Sequence, residues 1–160
     1  MKILVAGVGN VFWGDDGFGV EVVHRLSERP LPAGVEVVDF GIRGYDLAYA
    51  LLDGYEYAVL VDALPRGEPP GTVCVLEPDL EALPALSSPD GHAMGPDRVL
   101  ALVRELGGRP PRLLVVGCEP ASLGGEEGAM GLSPPVTAAV DEAVRTVERL
   151  LGELGARADA

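Results

Sequence analysis

The chain has few of the residues on which cross-links and many reactive sites depend. Its 160 residues include two cysteines, two histidines and one tryptophan. Cys74 and Cys118 lie far apart in apolar runs, so no C-x-x-C pair exists for a zinc knuckle or a thioredoxin-type redox centre. We expect both cysteines to be reduced and to serve as small apolar residues.

Positive charge is also scarce. The chain carries 12 lysines and arginines against 25 aspartates and glutamates, for a formal net charge of −13. Binding to nucleic acid depends on the neutralisation of phosphates by lysine and arginine, so this balance argues against a nucleic-acid partner. It is compatible with a cation or a basic peptide, although many of the acids serve solubility alone.

No apolar run approaches the length that crosses a bilayer, and no signal-peptide pattern follows Met1. We therefore predict a cytoplasmic protein without a membrane partner. A chain of 160 residues that is 48% hydrophobic can bury a core as one domain. We predict a single α/β domain over residues 1–155 and a frayed tail over 156–160.

Strand-like and helix-like segments alternate along the chain, and the helical ones repeat their apolar residues at the spacing of one helix face. This order predicts a three-layer α/β/α sandwich around a mostly parallel, five-stranded sheet. The link over residues 63–70 is too short for a helical crossover, so the fourth strand should run antiparallel to the third. The predicted strands are 2–8, 35–39, 57–62, 71–76 and 112–118, and the predicted helices are 17–27, 45–52, 96–106 and a last one with Ser133 as N-cap and Pro134 at its first position.

Two functions that are common among α/β proteins, dinucleotide binding and serine hydrolysis, are disfavoured by the sequence. Gly7 and Gly9 follow the first strand as in dinucleotide-binding folds, where Asp39 would hold a ribose, but the third glycine of that fingerprint falls at Phe12. A bulky side chain there opposes the close helix packing that the motif needs. No G-x-S-x-G elbow indicates a serine hydrolase, and His24 is predicted to be a surface residue of the first helix.

Three aspartates follow or end strand-like runs: Asp16, Asp39 and Asp62. Open α/β sheets keep their sites at the carboxyl ends of parallel strands. If the first and third strands are neighbours, Asp16 and Asp62 meet, and the long loop over residues 77–95 can bring His92 over them. Two carboxylates and an imidazole form an incomplete site for a divalent ion such as Zn²⁺ or Ni²⁺.

The same three residues also have plainer interpretations. Asp16 can add favourable charge to the first turn of a helix, Asp62 can shape a turn, and His92 can be an exposed loop residue. Asp39 can position or deprotonate a water molecule, or it can cap the turn over Gly41–Gly44.

Six segments together form a recognisable pattern: GVGNVFWGDDGFGV at 7–20, VVDFGIRG at 37–44, LVDA at 60–63, GHAMG at 91–95, VVGCEPASL at 115–123 and GLSPPV at 131–136. In this order and spacing they resemble the hydrogenase maturation endopeptidase family, and the resemblance spans nearly the whole chain. It implies an endopeptidase that removes a C-terminal extension from the precursor of a nickel-containing hydrogenase large subunit after nickel insertion. That precursor would then be the partner of this protein.

The resemblance also implies a set of metal ligands. Family members bind a divalent ion through an acid of a D-[DE]-G segment, an aspartate after the third strand and a histidine of the long loop. In this chain those residues are Asp16, Asp62 and His92. We expect nickel to arrive with the precursor and to complete its coordination on these three side chains, where it acts as a template and a Lewis acid on the scissile carbonyl.

The chain departs from the family pattern at two places. Some members carry glutamate at the position of Asp16, and many read G-G-T-x-G where this chain reads FGIRG over residues 40–44. Arg43, which the second departure introduces, either pairs with a substrate carboxylate or is an ordinary surface residue. Two rival functions stay open: a non-catalytic binding module for a metal-loaded or nucleotide partner, and a peptidase with its own zinc, although H-E-x-x-H is absent.

Overall fold

The computed structural model describes residues 1–78, 96–124 and 130–158. Its strands are β1 Ile3–Val8, β2 Val35–Gly41, β3 Tyr57–Ala63, β4 Val73–Leu76 and β5 Arg112–Cys118. Its helices are α1 Phe18–Ser27, α2 Gly44–Leu51, α3 Pro96–Glu105 and α4 Pro134–Ala158, and a 3₁₀ turn at Gly14–Gly17 precedes α1. Each predicted element is present, within about four residues at its ends. The predicted tail overlaps α4 as far as Ala158, and residues 159–160 lie outside the described residues.

The five strands form one sheet in the order β2-β1-β3-β5-β4. The pairs β1–β2, β1–β3 and β3–β5 are parallel, and β4 is antiparallel to β5, so the predicted fold class is confirmed. The direction of β4 opposes that of β3 as predicted, but the two strands are not neighbours. The seven-residue β5 pairs with β3 along its whole length and leaves the four-residue β4 at the sheet edge.

Helices cover both faces of the sheet, and the alternation of strand side chains assigns each residue to one layer. Ile3 and Val5 of β1 pack with α1 and α4, whereas Leu4, Ala6 and Val8 pack with α2 and α3. Because β1 and β3 are covered on both faces, they are almost continuously buried. This arrangement brings the carboxyl ends of β1, β2, β3 and β5 to one edge of the molecule.

Both cysteines are free, as predicted. Cys118 is fully buried, and burial, reinforced by nearby acids, raises the pKa of its thiol to about 12. The thiol is therefore uncharged near neutral pH and acts as a small apolar group. In the part of the chain that the structure describes, no helix has the length and apolarity of a membrane span.

Helix α1 lies very close to the sheet because glycine stands on both sides of the contact. A Cβ atom on Gly19 of α1 would overlap the carbonyl oxygens of Val8 and Val61. On the strand side, a Cβ atom on Gly7 would run into the side chain of Val23. Close helix packing is thus achieved by Gly7 and Gly19, and Phe12 does not oppose it because α1 begins only at Phe18.

The backbone space beside Gly9, which a dinucleotide would need, is filled by the chain itself. Gly9 has a φ of 138°, and a Cβ atom there would overlap the carbonyl oxygen of Asp16. In dinucleotide-binding folds the corresponding turn approaches a pyrophosphate. In this chain the turn after β1 approaches the backbone carbonyl of Asp16 instead.

The Gly19 contact predicts a large cost for one added methyl group. We expect Gly19→Ala to lower the free energy of unfolding by about 3 kcal/mol or more, because backbone carbonyls cannot move aside as a side chain can. Gly152→Ala is the matched control: Gly152 lies in α4 with nothing within 4 Å of an added Cβ atom. It should stabilise the protein by up to about 1 kcal/mol. Chemical denaturation of both variants measures the difference, and equal stabilities would contradict the packing argument.

Candidate active site

Asp62 is the next-to-last residue of β3, a central strand between β1 and β5. Its neighbours Val61 and Ala63 both pack against α1 and α4, so the side chain of Asp62 extends from the opposite face of the sheet. Asp62 is only 4% exposed. A carboxylate is thereby buried at the carboxyl end of the sheet, where the sequence predicted it.

Asp16 lies in the 3₁₀ turn between β1 and α1 and is also buried. Its Oδ2 atom accepts a hydrogen bond of 2.8 Å from the backbone N–H of Asn10, and its own N–H donates to the carbonyl of Trp13 at 3.1 Å. The turn therefore folds back on itself and points the Asp16 carboxylate toward β3. Because β1 and β3 are parallel neighbours, as the prediction required, Asp16 and Asp62 face the same site.

The electrostatics of Asp62 show that the two carboxylates interact. Burial raises the pKa of the Asp62 carboxyl well above its usual range, and the negative charge of Asp16 raises it further. A hydrogen bond from the Ala63 N–H opposes this shift but does not outweigh it. Two buried carboxylates side by side are unfavourable unless a proton or a cation compensates their charge. Their oxygens are suitable ligands for a divalent ion.

The third predicted ligand, His92, lies outside the described residues. Within residues 1–78, 96–124 and 130–158, no group of three or more histidine, cysteine, aspartate or glutamate side chains could hold a metal ion. The structure thus brings together two of the three predicted ligands, and the metal site stays a prediction.

Asp39 is placed differently from this pair. It lies in β2 opposite Gly7, between Val38 and Phe40, whose side chains pack on the layer of α2 and α3. Asp39 therefore faces α1, where its Oδ2 is 3.0 Å from Nε2 of His24. The sheet separates the Asp39 side chain from that of Asp62, and its role in catalysis stays a prediction.

The surroundings of Asp39 add detail to the predictions for His24 and Arg43. His24 is exposed as predicted, but it has a partner in Asp39, which sequence spacing did not indicate. The turn after β2 is held by Arg43, whose backbone N–H donates to the Phe40 carbonyl at 2.8 Å and whose guanidinium donates to the backbone carbonyl of Asp39. Arg43 also lies 3.6 Å from Asp46, so it acts within its own loop.

Comparison with known proteins agrees with this geometry. The family model described as HycI, hydrogenase maturation protease, matches residues 20–150. The chain belongs to the hydrogenase maturation protease family. It is therefore a hydrolase, and more specifically an endopeptidase.

Relatives of the protease match nearly all of its length. It is 35% identical over 162 residues to the hydrogenase 2 maturation protease of Escherichia coli, covering 99% of this chain and 95% of that protein. It is 34% identical over 156 residues to the hydrogenase expression/formation protein HupD of Rhodobacter capsulatus, covering 96% and 73%. The solved structure of the hydrogenase maturating endopeptidase HybD from E. coli superposes with a TM-score of 0.78 at 33% identity, covering 97% and 94%.

The protease has a second buried aspartate next to Asp16 that the sequence analysis did not single out. Asp15 is 1% exposed and accepts four hydrogen bonds. Its Oδ2 accepts from the N–H groups of Ala121 and Ser122, at 2.8 and 3.0 Å, and from the hydroxyl of Ser133 at 2.8 Å. Its Oδ1 accepts from the N–H of Ser133 at 2.7 Å. Asp15 thus ties the turn that bears Asp16 to the loop between β5 and α4.

These bonds keep Asp15 ionised inside the protein. Burial raises the pKa of its carboxyl, but the hydrogen bonds from Ser133, Ser122 and Ala121 together outweigh burial, so that the pKa lies below its usual value. Asp15 thus contacts the loop between β5 and α4, whereas the adjacent Asp16 contacts Asn10 in its own turn. In the sequence, two adjacent acids after the first strand were the only indication of this role. The hydrogen bonds from the loop after β5 identify Asp15 as the structural one.

The Asp15 contacts predict a strong effect of a nearly isosteric change. Asp15→Asn places an NH₂ group where a carboxylate oxygen accepts from N–H donors, and it removes the charge from every remaining bond. We expect the free energy of unfolding to fall by about 3 kcal/mol, since hydrogen bonds to charged groups contribute about 1.5–3 kcal/mol each.

Asp141→Asn is the control for this change. Asp141 is 70% exposed and pairs with Arg25 at the surface. Its replacement should cost less than about 1 kcal/mol. Denaturant titrations of the two variants supply both values, and a wild-type stability for Asp15→Asn would show that the Asp15 contacts do not hold the turn.

Proposed function

We propose that this protease removes the C-terminal extension from the precursor of a nickel-containing hydrogenase large subunit after nickel has been inserted. Family membership supports the reaction class and the substrate. The observation that carries the proposal for this chain is the buried pair of Asp16 and Asp62 at the carboxyl end of the sheet. Two buried carboxylates that face one site supply oxygen ligands of the kind that recognise an incoming divalent metal ion.

The donor set fits a divalent ion that the substrate brings. Asp16 and Asp62 would supply carboxylate oxygens, and His92 would supply an imidazole nitrogen, which together suit a borderline ion such as Ni²⁺. When bound, the ion supplies a template for the substrate and polarises the scissile carbonyl. Recognition of nickel in this way would restrict cleavage to loaded precursors.

The residues of the chain itself prepare the site before substrate arrives. The Asn10 N–H orients Asp16, and the Ala63 N–H contacts Asp62. The hydrogen bonds to Asp15 from the loop between β5 and α4, here called the clamp at Asp15, keep the turn in place. Burial of both acids keeps bulk water away from them, which strengthens their interaction with a cation. Such preorganisation is needed because a small displacement of a ligand weakens a metal site.

Replacement of Asp62 should lower precursor cleavage without lowering the stability of the folded protein. Asp62→Asn keeps the shape of the side chain but removes the charge that repels Asp16. We expect cleavage of the nickel-loaded precursor, measured as loss of a C-terminal peptide by mass spectrometry, to fall by more than about 100-fold. Without metal, the variant should be as stable as wild type or more so by about 0.5–2 kcal/mol.

Asp141→Asn, an exposed aspartate of α4 that lies outside the site, is the control and should leave both quantities near wild type. Full cleavage by Asp62→Asn would contradict the proposed site. If a confirmed cognate precursor stays intact with the wild-type protein, the binding-module interpretation replaces the proposed activity. Tight stoichiometric zinc, together with cleavage of unrelated peptides, would favour a general zinc peptidase.

The catalytic role of Asp39 needs its own test, because its carboxylate lies across the sheet from Asp62 and contacts His24. If Asp39 positions or deprotonates water, Asp39→Asn should lower kcat by about 100-fold or more while the affinity for nickel stays unchanged. Calorimetric titration with Ni²⁺ and precursor cleavage give the two values. A kcat within about fivefold of wild type would exclude general base catalysis by this residue.

We also propose a cytoplasmic location for this protease. Its acidic net charge of −13 argues against a nucleic-acid partner.

A further inference from the structure

The large apolar side chains that reach solvent are concentrated at one end of the protease. Among the described residues, six such side chains are more than half exposed, and all lie in segments that follow the carboxyl ends of β1, β2 or β5: Phe12, Trp13, Ile42, Tyr45, Tyr49 and Met130. Large apolar residues that the structure exposes elsewhere, Met1, Val75 and Leu106, are at most 42% exposed. Single exposed apolar residues are ordinary, but a concentration at one end indicates an interaction site.

Helix α2 contributes most clearly to this concentration because it is apolar on two faces. Leu47, Ala48 and Leu51 face the core and are buried. On the outer face, Tyr45 and Tyr49 lie one turn apart and are 65% and 58% exposed. A surface helix normally has a polar outer face. The exposed surfaces of the two tyrosines are therefore available to a partner.

The aromatic residues of the first turn lie beside this helix. The N–H of Gly9 donates to the carbonyl of Gly41 at 2.9 Å and joins the turn after β1 to the turn after β2. Phe12 and Trp13 belong to the first of these turns, and the Trp13 carbonyl accepts the N–H of Asp16. The aromatic rim, defined as Phe12, Trp13, Ile42, Tyr45 and Tyr49, is thus continuous with the backbone that holds a proposed metal ligand.

The charges around the aromatic rim help to identify its occupant. Arg43 and Asp46, which stand between its residues, are paired with each other at 3.6 Å. The rim therefore offers apolar contact more than attraction for a charged partner. A second copy of the chain fits poorly, because each copy carries a net charge of −13 and two copies repel each other.

We propose that the aromatic rim docks the folded body of the large-subunit precursor and so directs its C-terminal segment to Asp16 and Asp62; this inference rests on the proposed function. Tyrosine and tryptophan are the residues that most often dominate protein interfaces. Asp16 and Asp62 lie at the carboxyl ends of β1 and β3, whereas Tyr49 lies one turn beyond Tyr45 on the outside of α2. The rim therefore extends past the two acids and suits a larger surface than that of a terminal segment.

The test removes the two outward rings and leaves the acids untouched. We expect Tyr45→Ala/Tyr49→Ala to raise KM for the nickel-loaded precursor roughly tenfold or more and to leave kcat within about twofold of wild type. The matched control is Val75→Ala/Leu106→Ala, which removes two exposed apolar side chains outside the rim. Its KM should equal that of wild type. Thermal unfolding checks that both double variants are folded.

Binding without turnover supplies a second measurement. In an Asp62→Asn background, addition of Tyr45→Ala/Tyr49→Ala should raise the Kd for the immobilised precursor by the same factor as it raises KM.

The outcomes separate the docking surface from the proposed function. An unchanged KM and Kd in a protease that cleaves the precursor would contradict the docking surface and leave the proposed function standing. If the wild-type protein does not cleave a cognate precursor, the proposed function and the docking surface are both contradicted. Loss of a dimer in sedimentation, with precursor binding intact, would assign the rim to a second copy and overturn the inference.

Discussion

The site depends on the burial of three aspartates, Asp15, Asp16 and Asp62, at the carboxyl end of the sheet. Asp16 and Asp62 repel each other inside the protein, and such a pair persists only if the backbone around it is held firmly. Asp15 provides that support through hydrogen bonds from Ala121, Ser122 and Ser133. Asp15 therefore holds the turn that bears Asp16, its neighbour in the chain and a proposed metal ligand.

This arrangement explains why the turn after β1 is rich in glycine. Gly9 lets the chain fold back until it meets the carbonyl of Asp16, and Gly14 adopts a φ of 56° beside the carbonyl of Ser122. A side chain at either position would separate the turn from the loops that hold it. The same turn exposes Phe12 and Trp13 and buries Asp15 and Asp16. The placement of Asp16 and the exposure of the two aromatic residues therefore follow from one backbone path.

The topology of the sheet gives these local features a common location. Because β1 lies between β2 and β3 and all three are parallel, the segments that follow them meet at one edge. The pleat then divides the residues at that edge between two faces. Asp62 lies on the face of α2 and α3, whereas Asp39 lies on the face of α1 beside His24. Two aspartates that look equivalent in sequence therefore have different environments.

The sequence by itself determined the order of strands and helices, the mostly parallel sheet and the approach of Asp16 to Asp62. These follow from hydrophobic periodicity, from connection length and from the rule that parallel strands end at one edge, all of which act locally or through simple topology. Only the tertiary structure decided the place of β5 between β3 and β4, the clamp at Asp15, the pairing of His24 with Asp39 and the outer aromatic face of α2. Each of these depends on contacts between residues distant in sequence, such as Asp15 with Ser133, whose geometry no local pattern of one chain encodes.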